Sequence, residues 1–260
     1  HFLHLTFPAL TFAGSALILL LQTLQTKTLW NNLCTTSGGI LLTMVKFCQQ
    51  KNLKIWLSIK FKVQRSSMRI KSEIRIIGFD DCPFEKNQKK KVSIVGVVYR
   101  GGKVFEGMLV GKVRVDGLDA TQVLIKLIKN TRHRPQLKVV MLDGITMAGF
   151  NLVDLEELYE KTELPVIAFS RKRPNLKKIK NALLHFKDFE KRWEIVKKAG
   201  KVRECYIRDK KIFYQSRGLK EVEVEEILNL SSTRGYIPEP LRVAHLIAGA
   251  LVKGESYGKA

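Results

Sequence analysis

Three aspartates in this 260-residue chain follow or open patterned segments that a fold can bring together. Asp80 follows the apolar run "EIRIIGF", Asp143 follows "LKVVML", and Asp119 opens the helix-patterned stretch "DATQVLIKLIKN". Carboxylates gathered at one place repel and raise one another's pKa until a cation joins them. Hard oxygen ligands suit Mg²⁺ or Mn²⁺. Such an ion activates water and stabilises an in-line displacement at phosphorus. Arg171 and Lys172 add two bases in "FSRKRP", and His245, in "LRVAHLIAGAL", is a proton carrier by residue type. Every one of these residues also has a purely structural reading. Asp80-Asp81 ahead of Pro83 can begin a loop, and Asp116-Gly117 and Asp143-Gly144 can be plain turns. Asp119 with Gln122 fits a helix N-cap with a capping-box partner. Arg171-Lys172-Arg173 can be a solvated loop, and a lone histidine on an apolar helix can be packed. The functional reading therefore rests on the constellation.

The elements that must position these residues follow from periodicity. "EIRIIGF" (Glu73 to Phe79) and the β-branched run "VSIVGVVYR" (Val92 to Arg100) predict strands, with a basic turn at Lys89 to Lys91. Gly101-Gly102 is a two-residue hairpin signal, and Lys103 to Gly117 returns as a third strand. Apolar residues at 123, 124, 127 and 128 give helical spacing from Asp119 to Asn130. "LKVVMLD" is a continuous apolar strand of the buried parallel kind. "LVDLEELYEKT" predicts a helix whose acids Asp154, Glu156, Glu157 and Glu160 form a solvated face, and "LPVIAF" a fifth strand. Asn175 to Gly200 is helical and rich in lysine, with Phe186 and Trp193 expected in the core. A strand pair around Asp209-Lys210 and helices over Glu221 to Leu228 and Pro240 to Val252 complete the chain. Three hairpin-connected strands followed by βα units describe an α/β protein of the ribonuclease H-like fold, a mixed central sheet flanked by helices. In that order the first and fourth strands run side by side and parallel, which places Asp80 and Asp143 at one edge.

Charge narrows the partner. Lys plus Arg is 46 against 24 Asp plus Glu, a net +22, a field that attracts nucleic acid first and anionic membrane second. Four cysteines without a C-x-x-C pair or a histidine cluster exclude a zinc site and a disulfide scaffold. They read as reduced thiols in a cytoplasmic protein. The first acid is Glu73, and the apolar run Phe7 to Leu24 is 18 residues long. That run is a short membrane-span candidate, but it lacks a basic leader and the chain changes character at "SSMRIKSEIRIIGFDD". The expectation is a domain over residues 68–260, preceded by a non-domain extension over 1–67, mis-assigned or disordered. A membrane-anchored version is the lesser alternative.

The stretches "IIGFDDCPF", "VDGLDATQVLIKLIKN", "VVMLDGITMAGFNLVDLEEL", "LPVIAFSRKRP" and "IPEPLRVAHLIAGAL" closely resemble the archaeal endonuclease dU family. They cover most of Met68 to Gly254 and none of the first 67 residues. That family is in turn similar to endonuclease V, a metal-dependent repair nuclease on a ribonuclease H-like fold. The resemblance implies a Mg²⁺- or Mn²⁺-dependent endonuclease that cuts DNA near deaminated bases, with deoxyuridine suggested by the family name. It implies Asp80 and Asp143 as metal ligands, and Arg171 or Lys172 at the register of a lysine near the scissile phosphate. At the place of the fold-mate's glutamate stands the shorter Asp119, which leaves the third ligand open. The alternative is a non-catalytic nucleic-acid-binding or partner-binding module on the same fold.

Overall fold

The computed structural model describes residues 69–85 and 91–256. The extension 1–67, its apolar run and the expected turn at Lys89 lie outside the described residues. Within them the chain begins as three antiparallel strands, β1 (Arg75–Asp81), β2 (Lys91–Arg100) and β3 (Val104–Arg114). Gly101 and Gly102 join β2 to β3 with φ of +56° and +70°, the left-handed pair that a tight hairpin requires. Next come α1 (Ala120–Asn130), β4 (Leu137–Asp143), the short hairpin strands β5 (Thr146–Met147) and β6 (Asn151–Leu152), α2 (Leu155–Thr162) and β7 (Val166–Ser170). The remainder is α3 (Leu176–Leu183), α4 (Phe189–Lys198), β8 (Arg203–Ile207), β9 (Lys210–Arg217), α5 (Glu221–Ser231) and α6 (Glu239–Lys253). Seven strands form one mixed sheet in the order β3-β2-β1-β4-β7-β9-β8. Its centre, β1-β4-β7, is parallel, as expected for the apolar run in β4.

The two-residue strand period decides which side chains share a face. Ile76 pairs with Val139 and Gly78 with Met141. Ile76, Val139, Met141, Ile167 and Phe169 pack with Val224, Ile227 and Leu228 of α5 and Leu241 of α6. On the opposite face Ile77, Phe79, Val140 and Leu142 pack with Leu124 and Ile128 of α1 and Leu155 and Leu158 of α2. The last register pair before the acids is Phe79 with Leu142. One step further on each strand stand Asp80 and Asp143, so both carboxylates project on the α6 face. Asp81 projects on the α1 face.

Several boundaries differ from expectation for identifiable reasons. β1 does not stop before its aspartates, because Asp80 and Asp81 continue the ladder opposite Val95 and Ile94. α2 starts three residues late: Leu152 is paired in β6, and Asp154 caps the helix by accepting N–H bonds from Glu156 and Glu157, each 3.0 Å. Asp154 is therefore buried rather than part of a solvated face. The lysine-rich segment divides into α3 and α4. Among the described residues, no helix is long and apolar enough to cross a membrane.

Candidate active site

α6 reaches the sheet through a glycine. A Cβ on Gly78 would meet the backbone carbonyl carbon of Pro240 at 2.6 Å, Pro240 Cβ at 2.7 Å and the Leu241 nitrogen at 2.9 Å, so only glycine admits this approach. From Gly78 to Asp80 a strand advances about 6.6 Å, and the four residues from Leu241 to His245 advance a helix about 6 Å. The two rises match, and His245 arrives over Asp80. Its Nδ1 lies 2.8 Å from Asp80 Oδ2. The other Asp80 oxygen accepts the N–H of Asp81 at 2.9 Å.

Asp80 is buried, and its charge is felt by both neighbours. Burial first, then the charge of Asp80, raises Asp143 to about 6, against opposing pulls from Arg171 and His245. Burial and then Asp80 raise Asp81 to about 6 as well, with Asp143 adding a smaller push and a backbone N–H bond from Ala148 pulling the other way. His245 is shifted up, chiefly by its hydrogen bond to Asp80. A narrow cleft on the α6 face is lined by Asp143, Phe169, Arg171, Leu241, Arg242 and His245. Glu239 Oε2 holds Arg242 there, accepting from Nε at 3.0 Å and from a terminal nitrogen at 2.7 Å. Around the end of β4 and β7, a second hollow is lined by Gly144, Ile145, Ala168, Phe169, Ser170 and Tyr214 among others.

Asp80, Asp143, Arg171 and His245 thus come together. Asp119 is engaged elsewhere. Its Oδ1 accepts the Arg114 N–H at 3.2 Å and the Asn151 side-chain amide at 2.6 Å. It makes no side-chain cap on α1. Asn151 does part of that work, accepting the Ala120 N–H at 3.0 Å, while Gln122 reaches across to Glu157 at 2.6 Å. Lys172 is exposed, and its backbone carbonyl accepts from the Ser170 hydroxyl at 2.7 Å.

Three participants were not singled out from sequence. Asp81 was read as the start of a loop; two adjacent aspartates on one strand serve opposite faces, a distinction visible in period-2 counting alone. Arg242 precedes His245 by three residues, one helical turn, and that spacing was available. Arg192 had no such signal. Its guanidinium is buried, paired with Asp188 at 2.7 Å and 3.0 Å, and donates to the carbonyls of Asp116 (2.7 Å), Gly117 (3.0 Å) and Phe150 (2.6 Å). It lies 4.4 Å from the Phe186 ring centroid.

The donor set suits a divalent cation in a limited way. Asp80 and Asp143 offer hard oxygens and repel one another, which a shared Mg²⁺ or Mn²⁺ would relieve. Among the described residues, no three His, Cys, Asp or Glu side chains converge as a ready cage. Mg²⁺ commonly takes only one or two carboxylates and completes its shell with water and substrate phosphate, and the Asp80-Asp143 pair fits that demand.

Acids ending two neighbouring parallel strands of a mixed sheet, with a histidine lowered onto them from the last helix, sit on a ribonuclease H-like fold. The endonuclease dU family matches residues 72–252, and the chain belongs to it. A UPF0215 protein of Methanosarcina mazei is 51% identical over 197 residues, covering 75% of this chain and 99% of the relative. A solved Archaeoglobus fulgidus protein of unknown function is 37% identical with a TM-score of 0.63, covering 69% of this chain and 99% of its own. Bacillus subtilis endonuclease V shares the fold at 13% identity and a TM-score of 0.50, over 77% of this chain and 92% of its own.

Proposed function

We propose that the domain over residues 68–260 is a divalent-metal-dependent endonuclease acting on DNA that carries deaminated bases, deoxyuridine in the first place. The observation that carries this reading is the placement of Asp80 and Asp143 at the ends of adjacent parallel strands, on one face of the sheet, where burial and then the charge of Asp80 raise Asp143 to about 6. In this proposal the two carboxylates hold Mg²⁺ or Mn²⁺, and Asp81 adds negative charge behind them. The ion supplies Lewis-acid polarisation of the phosphate and of a bound water. Asp80 fixes the His245 ring through Nδ1, leaving Nε2 to carry a proton in the cleft. Arg171 offsets charge on the phosphate, and Lys172 stands beside it on the exposed loop. Asp119 serves by fixing the turn that precedes α1. The hollow beside Gly144 and Phe169 offers an apolar slot of the kind a base swung out of the helix requires. The family description supports deoxyuridine, and exposed Lys177, Lys178, Lys191 and Lys197 on α3 and α4 support contact with the backbone.

Cleavage of a uracil-containing duplex with Mn²⁺ tests the proposal. Asp143→Ala is expected to lower the rate by about 10³-fold or more with circular dichroism unchanged. Undiminished cutting by that variant contradicts the site. A wild-type chain that binds the duplex but never cuts it points to a binding module.

A further inference from the structure

Arg242 is held more firmly than its helix requires. Glu239 Oε2 accepts from Nε at 3.0 Å and from Nη2 at 2.7 Å. That uses one edge of the guanidinium and leaves Nη1 unengaged among the described residues. Glu239 is only 3% exposed, and its other oxygen, Oε1, is buried with no hydrogen-bond donor among the described residues. An acid in the first turn of a helix meets the helix dipole favourably from the surface. Burying it costs free energy that pairing must offset. What the burial secures here is the orientation of Arg242, whose side chain lines the cleft with Asp143, Arg171 and His245.

We propose that Arg242, positioned by Glu239, grips the phosphate next to the one being cut, a role that rests on the nuclease reading of this cleft. Arg242 precedes His245 by one helical turn, about 4.5 Å of helix axis. A nucleic-acid strand carries one phosphate per roughly 3.4 Å of duplex axis, so the spacing is that of neighbouring phosphates. The fields of the two arginines agree with this division. Arg171 pulls Asp143 down and opposes the upward shift of His245. Arg242 is not among the charges acting on either group, and acts on Tyr99 instead. Arg171 therefore belongs to the scissile phosphate and Arg242 to the next. A guanidinium suits the task, because it is planar, always charged and able to meet a phosphate through two N–H groups. Its grip selects which linkage lies over the acids, a contribution to positioning rather than to the chemical step.

Binding of uracil-containing duplexes to the full chain, with Ca²⁺ in place of Mn²⁺, tests the role. Each duplex carries one linkage neutralised as a methylphosphonate, and the set scans the strand around the cut. Neutralising one linkage beside the scissile one is expected to cost wild type about tenfold in affinity and Arg242→Gln nothing. The same variant lowers the slope of log affinity against log salt by about 0.9. With Mn²⁺ it raises KM about tenfold, keeps kcat within about threefold and leaves Mn²⁺ affinity unchanged. Arg242→Lys restores the salt slope and only part of the KM. Arg242→Gln leaves a buried carboxylate unpaired, so Glu239→Gln with Arg242→Gln, which removes both charges, is measured beside it, and circular dichroism verifies folding. A folded variant that stays sensitive to every linkage that matters to wild type overturns the proposal, and so does a loss confined to kcat. A wild-type chain that binds the duplex without cutting overturns the nuclease reading, while the linkage scan still decides whether Arg242 holds a phosphate. A chain that binds no duplex overturns both.

Discussion

Two groups of aspartates sit at the same end of the sheet and are held in opposite ways. Asp116 and Asp119, after β3, have donors supplied by the protein. Asp116 Oδ1 accepts the Phe150 N–H at 2.7 Å, and Asp119 takes the Arg114 N–H and the Asn151 amide. Arg192 then ties the carbonyls of that turn to α4. Asp80, Asp81 and Asp143 are buried beside one another's charge, with His245 as the side-chain partner of Asp80, and burial first and the charge of Asp80 second drive Asp81 and Asp143 up to about 6. Stability explains the first group. Ionised Asp81 and Asp143 raise the free energy of the folded chain, and a bound cation is the simplest compensation. The hairpin of β5 and β6 joins the two: Ala148 offers its N–H to Asp81 and its carbonyl to Asp116.

The sharpest way to break the comparison is in the satisfied group. Arg192→Met removes the partner guanidinium of Asp188 and the side-chain donor to three half-buried carbonyls, and with Arg192 itself buried is expected to destabilise by about 3 kcal/mol in urea unfolding. A loss below about 1 kcal/mol would mean that the turn is not held as described. Gly78→Ala acts on the other group. It forces α6 off the sheet, with a cost of roughly 1–3 kcal/mol and a return of the His245 titration toward its unperturbed position, read by NMR. Retention of the raised His245 value would show that the helix does not depend on this contact.

The smallest effect has the reverse sign. Asp143 has a folded pKa above its unfolded value, so stability is lost as pH rises from the ordinary carboxylate range through about 6. Asp143→Asn removes that loss. In chelator at pH 8 the variant is expected to be more stable than wild type by about 1–2 kcal/mol, with the advantage gone near pH 4. Equal melting temperatures at both pH values would show that the acids are not in conflict.

Much of this was legible beforehand. The parallel placement of Asp80 beside Asp143 followed from the hairpin-then-βα order and the apolar run of β4. Their common face was not read there; it follows from the observed register of Phe79 with Leu142. What was not legible came from long-range hydrogen bonds. Asp119 and Gln122 have the local pattern of a capping box, but Asn151, a residue on a hairpin too short for any periodicity, takes over the cap and captures Asp119. His245 sits on a helix whose composition suggests packing alone, and only the close approach at Gly78 reveals its partner. Arg192 looks like one more base in a lysine-rich helix until its three carbonyl acceptors are seen.

Calorimetric titration of Mn²⁺ into the full chain tests the central claim most directly. The account predicts one binding event that Asp80→Asn and Asp143→Asn each abolish, while Asp119→Asn changes the affinity by no more than about threefold. Abolition by Asp119→Asn, or a wild-type chain that binds no Mn²⁺, would contradict it.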